Sequence, residues 1–147
     1  MHLHMRLMGF DYGQRRLGIA IGDRLTRHAR GLVTLPTHHP QTATRLAALV
    51  DEWQPEAFVV GWPTQADGQA TRLGPAIRGF AHQLQRQFAR PVYWSDEHLS
   101  SHAGRERTQR GRRDPGLDAH AAAVILEGWM LEQPQDAPHS PPQEAPA

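Results

Sequence analysis

Apolar residues enter this chain in three short runs, Met5 to Asp11, Leu17 to Ile21 and Gly31 to Leu35, separated by brief polar connections. Runs of this length predict three consecutive strands in a meander. In the first connection, Gly13-Gln14-Arg15-Arg16, the glycine can take a positive φ. The period then changes. Pro40 to Trp53 sets Leu46, Leu49, Val50 and Trp53 at helical intervals, and Ala57 to Gly61 is continuously apolar, as in a buried parallel strand. A second helix is predicted over Arg72 to Phe88, with Leu73, Ile77, Phe80, Ala81 and Leu84 in one stripe. Pro91 to Trp94 supplies a short fifth strand. A last helix runs from Leu117 to Glu132, where Asp114 can cap the start and Pro115 suits the first helical position. The order βββαβαβα predicts an α/β fold with a mixed five-stranded sheet, a three-strand meander plus two parallel strands, flanked by helices.

Length and composition sharpen this picture. A chain of 147 residues with 39% hydrophobic content can bury one core, so residues 1–132 are expected to form one domain. Residues 133–147 contain Pro134, Pro138, Pro141, Pro142 and Pro146, with almost nothing apolar larger than alanine, and read as a disordered tail. The absence of cysteine excludes disulfides, a thiolate nucleophile and cysteine-rich zinc sites. No long apolar stretch precedes Asp11, and the longest later one, Ala119 to Met130, is broken by Glu127. A soluble, cytoplasmic protein is the expectation.

The net charge of +1 conceals an uneven distribution. All sixteen basic residues are arginine, and Arg105, Arg107, Arg110, Arg112 and Arg113 crowd one short segment against a single acid, Glu106. The planar guanidinium fork suits phosphate, and a local basic run is the usual electrostatic footprint of nucleic-acid binding. An ordinary solvated face can look the same.

Three acids stand out against apolar surroundings. Asp11 interrupts a buried strand in Leu7-Met8-Gly9-Phe10-Asp11-Tyr12-Gly13, where a carboxylate costs free energy unless it is paired, hydrogen-bonded or metal-bound. Asp118 heads a helical stripe continued by Ala121, Ala122, Ile125 and Trp129. A favourable helix-dipole contact explains an acid there too, at only about 0.3–1 kcal/mol. The pair Asp96-Glu97 follows the fifth strand, at the sheet end where ligands gather in open α/β folds, although either could cap a following helix. Converging carboxylates without cysteine suit Mg²⁺ or Mn²⁺, and two such ions about 4 Å apart can hydrolyse phosphodiesters. His98 and His102 share a helical spacing, but two histidines without a third ligand make a poor zinc site.

The chain resembles the YqgF-type proteins, known as Holliday-junction-resolvase-like and as pre-16S rRNA nucleases of RNase H-like fold. Four ordered pieces carry the resemblance: Gly9-Phe10-Asp11-Tyr12-Gly13 through Arg16, Gly18, Ala20 and Asp23; Gly61-Trp62-Pro63 with Asp67-Gly68; Asp96-Glu97-His98-Leu99-Ser100-Ser101; and Asp118 with Ala121-Ala122. It implies a metal-dependent nuclease, loaded with Mg²⁺ or Mn²⁺, whose acids map onto Asp11, Glu97 and Asp118. It further implies a loop from Gly61 through Pro63 and Asp67 to Gly68 bordering the site, and nucleic-acid contacts from Arg16 and the arginine run. The implied partner is RNA, the precursor of small-subunit rRNA, in the bacterial cytoplasm, with a branched DNA junction as the alternative substrate. His98 and Ser100-Ser101 stand where the family usually has arginine and two threonines. The residues alone leave Asp96, Glu97 and Asp67 open as the second acid.

Two other classes fit parts of the sequence. The Asp-x-Gly hairpin also resembles the phosphate loop of actin-like ATPases, which need two such domains and a longer chain. A non-catalytic RNA-binding ribosome-assembly factor would use the arginine run without the acids.

Overall fold

The computed structural model describes residues 5–63, 72–96 and 115–133. Three antiparallel strands open the chain: β1 (Arg6–Tyr12), β2 (Arg16–Asp23) and β3 (His28–Pro36). They are followed by α1 (Thr42–Trp53), β4 (Ala57–Trp62), α2 (Gly74–Phe88), β5 (Val92–Asp96) and α3 (Pro115–Glu132). The sheet order is β3-β2-β1-β4-β5, with β4 parallel to β1 and β5 parallel to β4. The meander and the two added parallel strands are those the hydrophobic pattern predicts.

Each strand alternates between two cores. One face carries Met8, Phe10, Leu17, Ile19, Ile21, Phe58 and Val60 into a core closed by α1 and α2. The other carries Leu7, Ala20, Ala57, Val59 and Tyr93 against α3. Aromatic rings fill the first core: Phe10 lies 5.2 Å edge-on to Phe80 and 5.8 Å from Phe58, centroid to centroid. The second mixes the small residues Ala20, Ala57, Ala122 and Ala123 with Leu7, Val59, Tyr93, Leu126 and Trp129, and α3 lies across all five strands.

Several local features differ from the sequence expectation. Gly13 does not adopt a positive φ; its need for glycine is steric, because a Cβ there would stand 2.8 Å from the Arg16 carbonyl that accepts its own N–H. The first helix begins at Thr42 rather than Pro40, with the Thr42 hydroxyl donating to the Pro36 carbonyl at 2.6 Å. The third strand is longer than expected, and a bulge opposite Ile19 and Ala20 shifts its register. The buried side of α3 is broader than a single stripe, adding Ala119, Ala123, Leu126 and Met130 to Ala122, Ile125 and Trp129 while leaving Ala121 half-buried. A helix lying flat on a sheet buries a wide arc. Among the described residues no helix is long and apolar enough to cross a membrane.

Candidate functional site

The site begins with glycines. On the α3 side of the sheet, β2 presents Arg16, Gly18, Ala20 and Gly22, because alternate residues share a face. A Cβ on Gly18 would stand 2.0 Å from the Asp118 carbonyl oxygen, and one on Gly31 would stand 2.9 Å from the Ala119 backbone. The first turn of α3 therefore rests directly on the backbone of β2 and β3. Further along, Gly9 meets the Leu126 side chain and the Ala122 carbonyl, and Gly22 meets only the side chains of Leu126 and Met130. The helix is pressed down at the end that carries Asp118.

Asp11 belongs to the same spot. It pairs with Gly18 across the β1–β2 ladder, so both lie on the α3 face. Cross-strand neighbours have Cβ positions about 5 Å apart, which brings Asp11 next to the point where Asp118 meets Gly18. The next residue, Tyr12, faces the other core, where it meets Phe80 at 5.2 Å and where burial pushes its hydroxyl pKa above the ordinary value. Tyr12 therefore lies on the opposite face from Asp11.

Arg16 stands two residues before Gly18, and its Nη1 lies 3.7 Å from Asp118 Oδ2. That separation is an ion pair but too long for a hydrogen bond. Both atoms are buried, and neither makes a hydrogen bond among the described residues. A buried carboxylate oxygen with spare lone pairs, over a strand whose cross-strand neighbour is the acid Asp11, fits a hard cation, which takes oxygen ligands of this kind. Two acids are an incomplete donor set, and among the described residues no group of three histidines or acids could hold an ion.

The other side of Asp11 is open in a different way. β4 runs beside β1 with Phe10 opposite Val60, and Gly61, which pairs with Ser95 of β5, is the next residue along. Glycine puts no side chain between Asp11 and β5. Ser95, on the α3 face, donates from its hydroxyl to the Ile125 carbonyl at 3.4 Å, tying β5 to α3. Asp96 closes β5 in an exposed position.

The sequence expectations divide accordingly. Asp11, Asp118 and Arg16 are brought together, and Gly61 and Pro63 lie at the same end of the sheet. Arg16, expected to contact nucleic acid, faces Asp118. Glu97, Asp67, Gly68, Arg105, Arg107, Arg110, Arg112 and Arg113 lie outside the described residues, as do His98 and His102. Trp62, which could have stacked on a base, is buried edge-on against Trp94 at 5.4 Å with Arg78 over its ring at 4.9 Å. The residue the pattern undersold is Gly18, although the series Gly18, Ala20, Gly22 at period two already marks a face with no room for side chains.

Comparison with known proteins gives three kinds of match. A family model described as "RuvX: Holliday junction resolvase" matches residues 5–132. Proteins named "Putative pre-16S rRNA nuclease" are similar along most of their length. The one from Burkholderia ambifaria (strain MC40-6) is 45% identical over 139 residues, covering 90% of this chain and 93% of the relative. The one from Pseudomonas paraeruginosa (strain DSM 24068 / PA7) is 40% identical over 134 residues, covering 87% and 93%. Among solved structures, Thermus thermophilus RuvC in complex with a Holliday junction substrate superposes with a TM-score of 0.54 at 22% identity, covering 86% of this chain and 96% of that one. At that identity the likeness speaks for the fold, an RNase H-like sheet.

Proposed function

We propose, from the premise that this chain belongs to the RuvX family, that it is a metal-dependent nuclease that hydrolyses phosphodiester bonds in maturing the 5′ end of pre-16S rRNA. The YqgF-type resemblance read from the motifs agrees with that membership. The observation that carries the reading to this chain is that Gly18 pairs with Asp11 in the sheet and carries the Asp118 backbone of α3, with an Asp118 carboxylate oxygen that is buried and makes no hydrogen bond among the described residues.

Asp11, Asp118 and Glu97 would hold Mg²⁺ or Mn²⁺. The bound ion supplies Lewis-acid stabilisation and an activated water. The chain's own residues set the stage for that chemistry. Gly18 and Gly31 let α3 approach until Asp118 is fixed against the sheet, and Gly61 leaves a clear path from β5 to Asp11. Arg16 steadies the Asp118 carboxylate and presents its remaining N–H groups to a phosphate. The segment holding Arg105, Arg107, Arg110, Arg112 and Arg113 grips the backbone of the strand, and the loop through Pro63, Asp67 and Gly68 borders the cut. The reaction takes place in the cytoplasm.

The family's resolvase description keeps a branched DNA junction as the second substrate. The deciding experiment incubates wild type and Asp11→Asn with Mn²⁺ or Mg²⁺ and two labelled substrates, an RNA carrying the 5′ leader of a small-subunit rRNA precursor and a four-way DNA junction. Wild type should cut the RNA in preference to the junction, and Asp11→Asn should cut neither. Preferential cutting of the junction would make the protein a resolvase, and equal cleavage by the two proteins would remove Asp11 from the site.

A further inference from the structure

At the opposite end of β1 from Asp11, and on the other face of the sheet, Trp53 closes α1 between two arginines. Arg6 of β1 holds its guanidinium 5.6 Å from the Trp53 ring centroid, and Arg30 of the edge strand β3 holds its own at 5.2 Å. Arg6 also donates from Nη1 to the Trp53 carbonyl at 3.1 Å, which fixes the ring at the helix end. Arg30 is exposed, and its guanidinium makes no hydrogen bond or ion pair among the described residues. These side chains, with Asp23 and His28, line an open pocket of about 250 Å³. Asp23 Oδ1 accepts the Leu25 N–H at 2.7 Å.

We propose that this pocket is a second nucleic-acid contact, taking one phosphate and its base from a single-stranded RNA segment that flanks the bond to be cut. The identity of the strand rests on the nuclease reading. The chemistry of the pocket rests on its own residues. A base has a planar face that stacks on indole or guanidinium, and a phosphate accepts the donors that Arg30 leaves open. Such a grip is independent of sequence. Asp11 lies five residues along β1, roughly 17 Å away at about 3.3 Å per residue, so a strand bound in the pocket reaches the acids only by passing around the sheet. The contact therefore serves RNA with a free single-stranded flank and adds little for a compact duplex.

A structural role for the arginines predicts something different, a loss of stability without a change in RNA binding. The test measures binding of a fluorescein-labelled single-stranded RNA by anisotropy, without divalent metal, across a salt series, for the full chain. Arg30→Gln should weaken binding about fivefold near 0.1 M salt and flatten the logarithmic salt slope by about 0.7, the change expected for one lost phosphate contact on a single strand. Arg45→Gln removes the same charge from an exposed position of α1 outside the pocket and should change neither quantity. Wild-type affinity and slope in Arg30→Gln, or an equal loss in Arg45→Gln, would overturn the proposal. Cleavage of RNA by a chain whose binding ignores Arg30→Gln would remove the pocket and keep the nuclease. Loss of binding in Arg30→Gln by a chain that cuts nothing with Mn²⁺ would do the reverse.

Discussion

The two faces of the sheet are built from the same strands and differ in almost everything else. On the α1–α2 face alternate positions are filled by Phe10, Ile19, Phe58 and Val60, and the core is held by interlocked rings. On the α3 face the same strands offer Gly9, Gly18, Gly22 and Ala20, and helix backbone meets strand backbone at Gly9, Gly18 and, on β3, Gly31. Large side chains bury more apolar area and stabilise the fold. Small ones give up that area in exchange for position, and what they position is Asp118 beside Asp11. Interlocked rings fill one face, and close backbone approach positions the acids on the other.

Substitutions can break that contrast, and the largest effect belongs to the ring-filled face. Phe10→Ala, at a fully buried position touching Phe58 and Phe80, should cost about 3–5 kcal/mol in urea unfolding. If the protein stays folded, RNA binding should persist. On the other face, Gly18→Ala forces a Cβ into the Asp118 carbonyl and should cost about 1–3 kcal/mol. Its cleavage rate should fall even where the variant is fully folded, because α3 must lift. Gly22→Ala is the control: its nearest neighbours are the ends of Leu126 and Met130, which can turn aside, so both losses should be smaller.

Smaller effects test the charges and the spare glycine. Arg16→Gln removes the partner of Asp118 from a partly exposed pair, at a cost of no more than about 1 kcal/mol in thermal unfolding. Gly79 sits inside α2, and a methyl group added there would meet nothing within 4 Å, so Gly79→Ala should stabilise by about 0.5–1 kcal/mol. A destabilised Gly79→Ala would show that glycines in this chain serve something other than close approach.

Much of this was legible in the sequence because the signals were local. Among the described residues, the five strands and three helices follow from runs and stripes of apolar residues, and Asp11 and Asp118 are visible as charges set in such runs. What the pattern concealed depends on contacts between distant segments. The closeness of Asp118 to Gly18 joins residues about a hundred positions apart in the chain, and no local rule reports it. The same holds for Arg16, whose pairing with Asp118 appears only once α3 is laid over it. Trp62 is another case: in sequence it is an aromatic in a loop-like motif, but its ring is buried by Trp94 and covered by Arg78. Arg6, Trp53 and Arg30 lie on three separate elements, and only the fold makes them neighbours.

The claim on which the account turns is that Asp11 and Asp118 form one cation site because Gly18 lets them meet. Electron paramagnetic resonance of Mn²⁺ titrated into wild type, Asp11→Asn and Asp118→Asn, with folding followed in parallel, tests it without any need for cleavage. Both variants should remain folded and bind Mn²⁺ at least about tenfold more weakly, an order of magnitude being what loss of a ligand or its support costs a metal site. Wild-type Mn²⁺ affinity in folded Asp118→Asn would contradict the account, because the glycine-paved face would then hold a helix and no site.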